Sequence, residues 1–168
     1  IELISISILG EEKQNKLQKL SEEIQWAIDH KVNLISLSIG SKEFTGAGEI
    51  IKVSKEAKRK NTIIVAAGAN DGMITYPACL PSVIGVKAGN FGLEESIYDN
   101  PADGIDIQAN IPKLHVLKTL ERDFTYYLTT TNSLLAPVVT GQIADILLKE
   151  EKIHDIRIIK ELLAKEKI

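Results

Sequence analysis

The sequence is poor in the residues that most often announce a function. It has one cysteine, Cys79, one methionine, one tryptophan, and aromatic residues make up 5 % of it. A lone cysteine excludes an internal disulfide and a cysteine-based zinc site. It leaves the redox compartment open. Neither sign of charge dominates: 20 basic and 23 acidic residues give a net charge of −3, so nothing points to a nucleic-acid or anionic-membrane partner. No apolar run approaches the ~20 residues that cross a bilayer. There is no internal repeat and no low-complexity segment. What is present is 168 residues, 44 % hydrophobic, which reads as a single globular domain, residues 1–168, with a sizeable core. The sequence opens at Ile1, already inside a strand-like run, and so reads as a processed or trimmed piece of a longer product.

The hydrophobic pattern alternates between two periods. Leu3–Leu9 interleaves isoleucine and serine, strand periodicity ended by Gly10. Glu11–Lys19 is charged and is expected to open as a loop. Leu17, Leu20, Ile24, Ala27 and Ile28 follow spacings of three and four, which predicts an amphipathic helix. Val32–Ile39 reads as a strand, Glu49–Lys60 as a helix with a basic end, and Thr62–Ala67 as a continuous apolar strand of the kind buried in a parallel sheet. Ser82–Val86 is a further strand. Residues 89–103 read as surface loop, and Ile105, Ile107, Ala109, then His115 and Leu117, as short strands or a hairpin up to about Leu128. A last amphipathic helix carries Ile156, Ile159, Leu162 and Leu163, with its charges on a solvated face. Strands separated by helical crossovers predict an α/β fold, a doubly wound and mostly parallel sheet with helices on both faces. Ligands bind such sheets beyond the carboxyl ends of the strands. Those ends are Ser38-Ile39-Gly40-Ser41 and Ala67-Gly68-Ala69-Asn70-Asp71-Gly72.

The stretch Thr131–Gly141 concentrates the interest. Leu135, Val139, Ile143 and Ile146–Leu147 recur at helical spacing, so small polar residues lead into a helix with an apolar inner face. Asn132 and Ser133 sit where an N-cap belongs. Pro137 is tolerable because it lies near the helix start. A hydroxyl at the positive end of a helix dipole suits a nucleophile, and it suits an ordinary cap equally well.

Four blocks in order decide between these. Ala27–Gly40, Ile64–Gly72, Tyr76–Val86 and Asn132–Gly141 resemble the substrate-pairing, oxyanion, Tyr-Pro-Ala and Gly-Thr-Ser-Met-Ala-Ser/Ala-Pro-His-Val-Ala-Gly segments of the subtilisin-like serine proteases, the subtilases. The resemblance implies Ser133 as nucleophile and Asn70 as oxyanion donor. It implies Ser38-Ile39-Gly40 as the strand that pairs with extended peptide, Ala67-Gly68-Ala69 as a wall of the pocket for the side chain before the scissile bond, and Thr75 near its base. The proline at position 77 is commonly cis in the family. Peptide or protein substrates follow, with a secreted or cell-envelope location. No cofactor is expected. Calcium clamps loops in the family, but no oxygen-ligand cluster is legible here, so no metal site is expected. Thr75 should make the pocket shallow, and Asp71 beside it should favour a basic or polar side chain, unless Asp71 is only a turn residue.

The departures matter as much. The family's Asp-Thr/Ser-Gly and His-Gly-Thr-His motifs are not in the sequence. His30 reads as a cation at a helix C-terminus, His115 as a strand residue and His154 as the start of the last helix. Thr131 and Asn132 stand where the family has Gly-Thr, Val138 where it has His, and Ala69 where it has Gly. Cys79 reads as a small buried residue in the turn after Pro77. Two readings stand: a peptidase portion that needs an upstream segment of the same product to supply Asp and His, and so is inactive alone, or an inactive scaffold that binds extended peptides. A bland α/β domain with chance matches is the third.

Overall fold

The computed structural model describes residues 1–8, 16–89, 96–98, 104–109, 131–150 and 153–165. Its elements in order are α1 (Lys16–Asp29), β1 (Leu34–Leu37), α2 (Ala47–Arg59), β2 (Ile63–Ala67), β3 (Ile84–Ala88), β4 (Ser96–Tyr98), β5 (Ile107–Ala109), α3 (Asn132–Lys149) and α4 (Ile156–Lys165). The sheet runs β1-β2-β3-β5-β4. The first four strands of that order are parallel, and β4 pairs antiparallel to β5.

Strand β2 is buried along its whole length because helices cover both faces of the sheet. Ile64 and Ala66 point to the side of α1 and α2, where they meet Leu17, Leu20, Ile24, Ile50 and Val53. Ile63 and Val65 point to the other side and pack with Leu135, Val139 and Ile143 of α3 and Ile156 and Ile159 of α4. A parallel strand with no wet face reads as an unbroken apolar run, and Ile63–Ala67 is one. The expected doubly wound, mostly parallel architecture is what forms.

The structure corrects several local expectations. Residues 1–8 form no strand. Ile4 and Ile6 are 48 % and 38 % exposed, and no strand among the described residues lies beside them. Alternation says which face a strand would bury, not that a neighbour exists to pair with it. Helix α1 begins at Lys16, inside the expected loop. Strand β3 lies two residues later than predicted, because Ser82 and Val83 complete a turn in which Val83 N–H donates to Leu80 O at 2.9 Å. Residues 96–98 of the expected loop form the edge strand β4. The predicted strands from His115 to Leu128 fall outside the described residues. The charges of α4 are not all solvated: Lys160 is 6 % exposed and ion-paired with Asp106.

Candidate active site

The carboxyl ends of β1 and β2 and the first turn of α3 converge, and a single side chain ties them. Asn132 is buried. Its Nδ2 donates to Gly68 O and Ala69 O, each at 3.0 Å, and its Oδ1 accepts from Ala88 N–H at 2.8 Å. It therefore joins the ends of β2 and β3 to the start of α3. Sequence reasoning missed this and read Asn132 as a helix cap. The cap position is Thr131, whose side chain caps nothing. The first amide of α3, that of Asn132, is instead held by Asn70, whose Oδ1 accepts it at 2.9 Å. That bond fixes which way the Asn70 amide faces. Its Nδ2 makes no hydrogen bond among the described residues, so the Asn70 donor is left free.

Ser133 follows in the same turn. Its hydroxyl donates to Ser38 O at 3.3 Å, and the Ser38 hydroxyl donates back to Ser133 O at 2.8 Å. The second bond answers Pro137. A helical carbonyl accepts from the N–H four residues on, proline has none, and the Ser38 hydroxyl supplies the missing donor to Ser133 O. The proline thus lies in the helix interior and is tolerated by a partner on a neighbouring strand, rather than by its nearness to the helix start. The proton of the Ser133 hydroxyl faces a carbonyl oxygen, which is no base.

Around Ser133 lies a cleft of about 340 Å³. Ser38, Gly40 and Lys42 form one wall, Ala67 to Asp71 the other, with Thr75 behind. Of the expected site residues only Ile39 is absent from this lining; its side chain packs into the core under α1 and α2, so it can offer only backbone to the cleft. Thr75 is buried. Its hydroxyl accepts from Ala69 N–H and donates to Met73 O, both at 3.0 Å, so its one proton is committed within the loop. The walls are held close. Ser41 and Tyr76 exchange backbone hydrogen bonds of 2.9 and 2.8 Å, just before the cis Tyr76–Pro77 bond. A Cβ on Gly40 would sit 2.6 Å from Thr75 Cγ2 and 2.8 Å from Tyr76 O, so nothing larger fits there. Gly68 has a different reason. A Cβ there would meet Ile105 Cδ1 at 2.3 Å, a contact behind the wall rather than in the cleft.

The charged groups lining the cleft are Lys42 and Asp71, and they pair with each other. Asp71 Oδ1 also accepts from Met73 N–H at 3.2 Å, so Asp71 is both turn residue and ion-pair partner. The Lys42 ammonium, and then the Met73 amide, hold its carboxyl below the usual carboxylate range. Cys79 is half-buried, and burial pushes its thiol up.

Comparison with known proteins shows the family and the fold. The pattern of the subtilase family, Peptidase_S8, fits residues 1–154. The chain belongs to the subtilase family. It is 29 % identical over 158 residues to the major intracellular serine protease of Bacillus subtilis (strain 168), covering 89 % of this chain and 48 % of that protein. To subtilisin E of the same organism it is 27 % identical over 153 residues, covering 88 % of this chain and 39 % of that one. A solved lanthipeptide protease superposes with a TM-score of 0.64 at 15 % identity, over 94 % of this chain and 60 % of that one, a likeness of fold. This subtilase chain spans about half, or less, of the curated relatives it matches.

Two of its histidines stand away from Ser133. His30 follows α1, stacks on Trp26 with ring centroids 3.8 Å apart, and places Nδ1 2.8 Å from Trp26 O, a helix-end role as expected. His154 lines a second cavity with Val32, Asn33, Asn61 and Thr62, residues at the amino ends of β1 and β2, opposite the cleft. His115 lies outside the described residues. Among the described residues no group of three or more His, Cys, Asp or Glu side chains could hold a metal.

Proposed function

We propose that this subtilase chain is the portion of a serine endopeptidase that carries the nucleophile, Ser133, and an oxyanion donor, Asn70, with the general base and its orienting carboxylate supplied by a further segment of the same product. The observation that carries this reading is the convergence on one cleft of a helix-start hydroxyl, an amide donor without a partner among the described residues and a segment, residues 38–40, that runs on past the β1–β2 pairing. Ser133 Oγ would attack a peptide carbonyl, and Asn70 Nδ2 with the Ser133 N–H, in the first turn of α3 where amides lack intrahelical acceptors, would stabilise the oxyanion. Residues 38–40 continue β1 beyond its pairing with β2, which suits addition of an extended peptide as one more strand. Among the described residues the Ser133 proton has only the Ser38 carbonyl to go to, and a carbonyl does not activate a hydroxyl.

A serine-directed fluorophosphonate tests this. The 168-residue chain alone should not react. The full-length parent product should be labelled at Ser133, and Asn70→Ala in that parent should lower kcat by roughly 10²–10³-fold. A parent that takes up no label at Ser133 removes the catalytic reading.

A further inference from the structure

The cleft's two ionic groups stand on opposite walls. Lys42 follows the end of β1, and Asp71 follows the end of β2. The remaining lining side chains carry no charge, and the Thr75 hydroxyl is spent on Ala69 and Met73. Among the described residues, what a bound side chain meets electrostatically is therefore decided by this one pair.

The pair is not symmetric. Asp71 has a short side chain held at two points, by the Met73 amide on Oδ1 and by Lys42 on Oδ2. The turn that sets it continues through Gly72, at a φ of 74° that favours glycine. Lys42 hangs on a four-carbon stem that is 47 % exposed, and the Asp71 carboxylate is its sole hydrogen-bonded partner among the described residues. The anion is fixed in place and the cation is free to swing into water. A lysine ammonium is a compact charge on a flexible chain that surrenders one partner for another at low cost.

We propose that the cleft takes a basic side chain of an extended peptide, and that Lys42 is an internal stand-in for it, occupying Asp71 until an arginine or lysine of the substrate displaces it. Displacement frees Asp71 Oδ2, and an arginine can bind it with a charge-assisted hydrogen bond while Oδ1 stays on Met73 N–H. An acidic side chain meets the reverse situation: to reach the Lys42 ammonium it must leave the fixed Asp71 carboxylate unpaired beside it. An apolar side chain gains nothing from either group. The consequence is a preference for basic residues that Lys42 itself blunts. This rests on the reading of the cleft as a peptide site.

The test is calorimetric titration of the 168-residue chain with three blocked peptides, Ac-Ala-Ala-Ala-Xaa-NH2, in which Xaa is arginine, norleucine or glutamate. The arginine peptide should bind several-fold tighter than the other two. Lys42→Met should tighten the arginine peptide by a further factor of about five, the size of an exposed ion pair, and should not tighten the norleucine peptide. Asp71→Asn should abolish the difference between arginine and norleucine. Equal affinities for all three peptides, a preference for glutamate, or weaker arginine binding in Lys42→Met would each overturn the proposal while leaving the peptide site intact. Absence of binding by all three would overturn the peptide-site reading itself, and this proposal with it.

Discussion

At the scale of single residues, the side chain that does most to shape the cleft carries no chemistry. Asn132 spends three of its four hydrogen-bonding positions on backbone groups of β3 and of the two residues after β2, and its backbone amide orients Asn70. Buried backbone groups left without partners cost about 1–3 kcal/mol each. Asn132→Ala strips the Ala88 amide and two carbonyls at once, and should destabilise the chain by about 2–4 kcal/mol in urea unfolding, with an unchanged dependence on denaturant. A smaller loss, under about 0.5 kcal/mol, would mean that water replaces the side chain without penalty. None of this was legible in the sequence. Preference tables assign asparagine before a helix to a cap, and only the meeting of residues 44 to 64 positions apart gives it another task. The Ser38–Ser133 exchange was hidden for the same reason, and Pro137, read as harmless near the helix start, is what leaves the Ser133 carbonyl in need of it.

At the scale of elements, periodicity served where an element is fully covered and failed where its surroundings decide. β2 was readable because five consecutive apolar residues, opened by β-branched side chains and closed by Gly68, fit a strand with two buried faces better than a helix. α3 was readable because Leu135, Val139 and Ile143 keep one face of the helix in the core. Residues 1–8 carry as clean an alternation and form no strand, because pairing needs a neighbour that the pattern cannot supply. α4 misled in the opposite sense. Its lysine at position 160 was assigned to water, yet its side chain is 7 % exposed and that of Asp106 13 %. Removing one member of such a pair strands the other charge, at a cost of about 3–5 kcal/mol, whereas replacing both by apolar groups is often neutral. Lys160→Met should therefore be strongly destabilising in chemical denaturation, and the double change Lys160→Met with Asp106→Leu should recover most of the loss. Two single changes whose effects simply add would show that the groups do not depend on each other.

At the scale of the whole molecule, the described surface carries more apolar material than its fold uses. α3 has apolar residues outside its core-facing stripe as well as in it. Its inner face is in the core, while Leu134 and Leu148 are 38 % and 63 % exposed. Beside it, β1 pairs, among the described residues, with β2 alone, and Leu3, Ile4 and Ile6 of the opening segment add further exposed aliphatic surface. An open parallel edge next to an apolar helix face is the geometry into which another strand and helix dock. The proposed missing segment, which would bring the general base, would bury both. Burying an aliphatic side chain is worth about 1.5–3 kcal/mol, so a handful of such contacts supports a tight association. Added at a hundredfold excess over its Kd, that segment should raise the Tm of this chain by roughly 5–10 °C. It should also slow hydrogen exchange at the β1 amides that point away from β2. Exchange at those amides as fast in the presence of the segment as in its absence would show that β1 is a true edge, and that the base must reach Ser133 from another direction.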